Sequence, residues 1–185
     1  YNKACFFYEP KAFHGVVELV YAGKLSSAKG VPWLLKSLEQ IKDLPFRLHM
    51  AGSSSGREKE MCLTLARALG SKVVYHGSLS HARLGELMRR SHIFVLPSFF
   101  EGLPLVLMEA LASGCRIITT ALPSVKEIFG TDQNTMVNMM DLPELETIDT
   151  PYEKDKVLLE NRLARILQQT IEEVMEKVEP DMDYI

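Results

Sequence analysis

Two glutamates, Glu101 and Glu109, bracket an otherwise apolar run in PSFFEGLPLVLMEALASG, residues 97–114. The pattern predicts a helix over residues 105–113, apolar on every side, as in a helix buried between a sheet and its neighbours. A carboxylate in such a helix costs several kcal/mol unless it is paired or protonated, so Glu109 needs a partner in the protein or in a ligand. Pro104 suits the first helical turn, where its missing N–H does no harm. Glu101 and Gly102 then lie in the loop facing the free N–H groups and the positive dipole end of the helix. That arrangement offers a phosphate seat, one carboxylate beside it and a second about two turns further in. A purely structural account also fits the residues: Glu101 caps the helix and Glu109 makes an internal ion pair.

Two further loops carry polar groups. GKLSSAKG, residues 23–30, brackets Lys24 and Lys29 with Gly23 and Gly30. It can bring two point charges and backbone N–H groups to a phosphate, or it can be a solvated loop. AGSSSGRE, residues 51–58, contains G-x-S-x-G with Ser54 at its centre, the pattern of a nucleophile elbow. A hydrolase of that type needs an acid and then a histidine downstream. Only Glu58, Glu60 and Glu86 lie between Ser54 and His92, the last histidine, which leaves a cramped triad. No GK[ST] follows, so the loop is not a Walker A loop.

These loops need a frame. Short β-branched runs predict strands over residues 16–23, 46–52, 72–77, 92–97 and 116–120. Helical patterns lie between them, over residues 31–41, 57–69, 81–90 and 105–113, with a short helix over 124–129. Ser80 reads as the N-cap of the third. Regular alternation of strand and helix argues for an α/β Rossmann-like parallel sheet with helices on both faces. Ligands bind such sheets at the carboxyl ends of the strands, which is where the three loops fall. Residues 131–152 read as an acidic loop region. One long helix follows over residues 153–177, with Val157, Leu158, Leu163, Ile166, Leu167, Ile171 and Val174 among its apolar positions, before an acidic tail.

The chain has 185 residues, 46% of them hydrophobic, and a net charge of −3, ordinary values for one globular domain that gives no reason to invoke nucleic acid. Cys5, Cys62 and Cys115 are odd in number and far apart, which argues against a disulfide framework or zinc knuckle and for a reducing, cytoplasmic compartment. No signal peptide opens the chain, and the longest apolar stretch, residues 103–112, is too short to span a bilayer. The chain opens at Tyr1 rather than methionine, as a trimmed piece of a longer protein would.

The order of motifs resembles the donor-binding half of the retaining glycosyltransferases of the GT-B fold, family four. The E-x7-E pattern of Glu101 and Glu109 within EGLPLVLMEALASG resembles their signature. YAGKLSSAKG resembles their G-[RK]-x4-KG loop, VVYHGSLSHARLGELMRRSHIFVLPS their nucleobase-loop stretch, and GCRIITTALPSVKEI the segment after the signature. In the last of these, Leu122 and Pro123 replace the usual glycine-rich turn. Tyr1, Asn2 and the phenylalanines at 6 and 7 resemble the piece leaving the first domain of that family, so residues 1–14 are expected to be an interdomain linker remnant and residues 15–130 the Rossmann-like core. Residues 130–150 show no clean family pattern.

The resemblance implies roles. Lys24 and Lys29 hold the donor diphosphate, at the edge of Gly23. Lys24 stands where arginine is commoner, keeping the charge without the bidentate fork. Glu101 reaches the donor sugar, and the backbone of Gly102, Leu103 and Leu105 meets sugar and phosphate oxygens. Glu109 accepts from the ribose hydroxyls, while Gly77, Ser78 and Leu79 line the base. The sequence is read as holding neither a D-x-D metal motif nor a histidine cluster, so the expected chemistry is metal-independent, with a UDP-, GDP- or ADP-sugar as donor and no cofactor. The acceptor, a glycan, lipid or small molecule, would sit on a separate N-terminal domain, which also leaves peripheral membrane association open for the longer protein. The long terminal helix could cross back to that domain. A sugar-nucleotide epimerase, a phosphorylase and a binding-only module are the alternatives.

Overall fold

The computed structural model describes residues 1–130 and 136–176. Five strands alternate with helices: β1 (Val17–Ala22), α1 (Val31–Gln40), β2 (Phe46–Ala51), α2 (Gly56–Ala68), β3 (Val73–Gly77), α3 (His81–Arg90), β4 (Ile93–Leu96), α4 (Leu105–Ala112), β5 (Arg116–Thr120) and α5 (Pro123–Phe129). Each lies within a residue or two of its expected bounds. β6 (Val137–Met140), a small hairpin of β7 (Leu145–Thr147) and β8 (Thr150–Pro151), and α6 (Lys156–Glu176) complete the described chain.

The main sheet has six strands in the order β3-β2-β1-β4-β5-β6, every pair parallel. From β1 the chain winds outward to β3, then returns to β4 on the other side of β1. Right-handed crossovers therefore put α1 and α2 on one face and α4 and α5 on the other. Contacts agree: α1 packs with α2 and α6, and α3 packs with α4. Covered on both faces, the central strands are apolar at nearly every position, with Leu19, Tyr21, Leu48, Met50, Ile93, Phe94, Val95 and Ile118 fully buried.

Three expectations change. The stretch read as an acidic loop contains β6, which pairs with β5 and buries Val137 and Met140. Its first five residues, 131–135, lie outside the described residues. Val157 and Leu158 are exposed, whereas Leu159 is buried with Leu163, Ala164, Leu167 and Ile171. The helix opens with a 3-10 turn at Glu153–Asp155, and its buried stripe rests on α1, where Ser37 Oγ donates to the Glu160 carbonyl at 3.0 Å. That stripe is therefore occupied within this fold. Lys177 and the acidic tail lie outside the described residues. Finally, α4 is not buried all round. Leu107 and Ala110 are its buried residues, Leu105 is exposed and Glu109 is half-buried.

Residues 1–14 lie against α3. Phe6 is buried. Arg89 donates to the Cys5 carbonyl at 2.6 Å and pairs with Glu9 at 3.3 Å. Lys11 Nζ donates to the carbonyls of Met88 and Arg89 at 2.8 and 3.0 Å, capping acceptors that the end of α3 leaves open. Burial holds the Lys11 pKa below its usual range.

Candidate donor site

β1 and β4 are neighbours whose connections leave in opposite directions, so a crevice opens beyond their carboxyl ends. The loops after them meet there by backbone. The Phe99 N–H donates to the Ala28 carbonyl at 2.9 Å. Gly30 sits at φ 70°, and a Cβ on it would fall 2.1 Å from the Pro97 carbonyl oxygen. The loop after β2 closes on the same place: a Cβ on Gly52 would fall 1.8 Å from the Gly23 carbonyl oxygen. The Gly52 N–H donates to the Gly77 carbonyl at 2.8 Å, which ties in the loop after β3. At both glycines the other main chain occupies the space a side chain would need.

Side chains are placed on this frame. Lys29 Nζ reaches Glu101 Oε1 at 2.9 Å and the Phe100 carbonyl at 3.3 Å. Ser98 Oγ donates to the same Glu101 oxygen at 2.6 Å. Ser124 Oγ, in the first turn of α5, donates to the Glu101 carbonyl at 2.9 Å. The Tyr21 hydroxyl donates to the Lys24 carbonyl at 2.6 Å, fixing the start of the first loop. Burial and the nearby Glu101 push the Tyr21 pKa far up, so that hydroxyl stays protonated. Lys24 is exposed, and its ammonium makes no ion pair with the other described residues. Glu58 Oε1 accepts from the Ser27 N–H at 3.1 Å, bracing the lysine loop from α2.

A cleft of about 310 Å³ opens here, lined among others by Gly23, Lys29, Glu101, Leu103 and Leu105. Five expected site residues thus converge. Lys24 and Gly102 lie outside that lining. Gly77, Ser78 and Leu79 form the next loop along, leading to α3, where Ser80 Oγ accepts from the Arg83 N–H at 3.3 Å. Glu109 lies further along α4, without a hydrogen-bond or ion-pair partner among the described residues. Burial raises its pKa, opposed by His81 at the start of α3. The internal ion pair considered for Glu109 is therefore not made. Ser98, Tyr21 and Ser124 were not singled out by sequence, because a hydroxyl shows its partner only once distant loops are brought together.

The other arrangements do not assemble. Ser54 Oγ is buried without a hydrogen-bond partner at the carboxyl end of the sheet. His92 stands at the opposite end, where its Nδ1 accepts from the Glu18 N–H at 3.0 Å, so no nucleophile–base pair forms. Among the described residues, no group of three His, Cys, Asp or Glu side chains could hold a metal ion. A D-x-D triplet does occur in the tail, at Asp181, Met182 and Asp183, outside the described residues. No helix among the described residues is long and apolar enough to cross a membrane.

The sequence profile described as "Glycosyl transferases group 1" matches residues 9–138, most of the chain and all three loops. This chain belongs to that glycosyltransferase family. The family assignment agrees with curated relatives. A glycogen synthase of Mycobacterium tuberculosis is 28% identical over 115 residues, 61% of this chain and 28% of its own length. A D-inositol 3-phosphate glycosyltransferase of Xylanimonas cellulosilytica is 28% identical over 120 residues, 63% of this chain and 28% of its own length. The matches cover about a third of the length of the first curated relatives.

Solved structures agree in fold. Anabaena HepE, in complex with UDP and glucose, superposes with a TM-score of 0.67 at 18% identity, covering 89% of this chain and 41% of HepE. The pneumococcal O-GlcNAc transferase GtfA, in complex with UDP and GlcNAc, gives 0.58 at 16% identity, covering 94% and 38%. The glycosyltransferase chain is one Rossmann-like half of a GT-B fold.

Proposed function

We propose that this glycosyltransferase chain is the donor half of a retaining, metal-independent hexosyltransferase. Its donor is a nucleoside diphosphate sugar, and an N-terminal domain outside this sequence holds the acceptor, a glycan, lipid or small molecule. The meeting of Lys29 and Glu101 in one cleft, at the N-terminus of α4, carries the reading. Lys29, with Lys24 at the rim, faces the diphosphate. The N–H groups that open α4, with the backbone of Gly102 and Leu103, add fixed donors there, and Leu105, whose N–H donates to the Leu103 carbonyl at 2.9 Å, holds that turn in shape. Glu101 takes a hydroxyl of the sugar, Glu109 the ribose hydroxyls, and the Gly77–Ser78–Leu79 turn the base.

Transfer breaks the bond between the anomeric carbon and the diphosphate oxygen, and the electron pair leaves with the diphosphate. The acceptor hydroxyl forms the new bond and passes its proton to the departing diphosphate. What this half supplies is stabilisation of negative charge building on the leaving diphosphate, by Lys29 recruited from its pairing with Glu101 and by backbone dipoles already in place.

Calorimetric titration with UDP, GDP and ADP tests the reading. One diphosphate is expected to bind, and Lys29→Ala and Glu109→Ala are each expected to weaken it about tenfold or more, the loss of one charge-assisted contact. Binding of one diphosphate that both variants leave intact would sink these assignments.

A further inference from the structure

Glu101 is held by more than its proposed role requires. Its Oε1 receives two donors, Lys29 Nζ at 2.9 Å and Ser98 Oγ at 2.6 Å. Its Oε2 makes no hydrogen bond with the described residues, and Glu101 is one of the residues lining the cleft. The two donors differ in kind. Lys29 is partly exposed on a long flexible stem and is the group a diphosphate would recruit. Ser98 is fully buried just past β4, and its carbonyl accepts from Thr120 Oγ1 at 2.5 Å, which ties it to the end of β5. It cannot follow a ligand. When Lys29 turns to a diphosphate, Ser98 is the donor left on Oε1.

We propose that Ser98 is a positioning residue for sugar recognition: it anchors Oε1 of Glu101 so that Oε2 stays aimed into the cleft, free to accept from a hydroxyl of the donor sugar, after Lys29 has left. Ser124, on the Glu101 carbonyl, fixes the backbone of the same residue from α5. A glutamate has three side-chain torsions, and without the hydroxyl the carboxylate must be ordered by the sugar itself at binding. The inference rests on the donor-site reading above.

Binding separates the two. Dissociation constants are measured by calorimetry for UDP, GDP and ADP and for their glucose conjugates, with the unsubstituted chain, Ser98→Ala, Ser98→Thr and Glu101→Gln. The readout is the gain in affinity that the sugar adds to the diphosphate. Ser98→Ala is expected to hold diphosphate affinity within about twofold and to lose about tenfold of the sugar gain, the worth of one charge-assisted hydrogen bond. Glu101→Gln is expected to lose the same gain, and Ser98→Thr, which keeps the hydroxyl, to restore it. A sugar gain that survives Ser98→Ala overturns the inference and leaves the donor-site reading standing. So does an equal loss for diphosphate and conjugate, since that is the mark of a merely structural serine. An unsubstituted chain that binds none of the six overturns both.

Discussion

The Glu109 carboxylate sits on α4 without a hydrogen-bond or ion-pair partner among the described residues, and burial raises its pKa against the opposing pull of His81. The folded chain therefore holds this proton more tightly than the unfolded chain does. The stability that the proton confers is present below the unfolded value and is lost as pH rises through the folded one, so at neutral pH the ionised carboxylate is a cost. Glu109→Gln is accordingly expected to keep or raise the melting midpoint at pH 7, with the gap to the unsubstituted chain closing towards about pH 4. A fall in the midpoint at pH 7 would mean a supporting contact is being broken instead. A charge that costs stability where it stands is what a ligand-facing group looks like. The sequence singles out Glu109 as a carboxylate in need of a partner by way of an apolar-all-round helix, and that helix is in fact partly open. Glu101 and Lys29 stand out in the sequence because the loops that carry them follow strands. The grip of Ser98 on Glu101 does not, because it depends on how β4 and β5 end side by side.

Elements were read best where β-branched residues run between glycines, as in β1, or follow one, as in β5. β6 escaped because VNMM is short, half methionine and set among polar residues, with no β-branched alternation to mark it. At the start of α6, Val157, Leu158 and Leu159 are consecutive apolar residues, and sequence alone does not say which turns inward. Contact with α1 decides for Leu159. The junction of the loops after β1 and β4 has its own test. Gly30→Ala puts a Cβ into the Pro97 carbonyl at a left-handed position. The expected loss is about 2 kcal/mol or more in urea unfolding, strain and clash together. A loss under about 0.5 kcal/mol would show that the two loops do not pack as described.

At the scale of the molecule, the chain is one Rossmann-like half of a GT-B fold, and on the proposed reading the acceptor site lies on another domain. The isolated chain is expected to bind a nucleoside diphosphate yet to transfer no sugar when incubated with a radiolabelled donor and acceptor glycans. Robust transfer by these 185 residues alone would contradict the division of labour between halves. The three loops are held together largely by main chain: Gly30 against the Pro97 carbonyl, Gly52 against the Gly23 carbonyl, and the Gly52 N–H on the Gly77 carbonyl. Peptide groups are the same whatever side chains they carry. A junction built from them survives the exchange of most surrounding residues, provided the two glycines stay. Sequence drift can therefore rewrite the helices and strand faces while the junction of these loops keeps its shape.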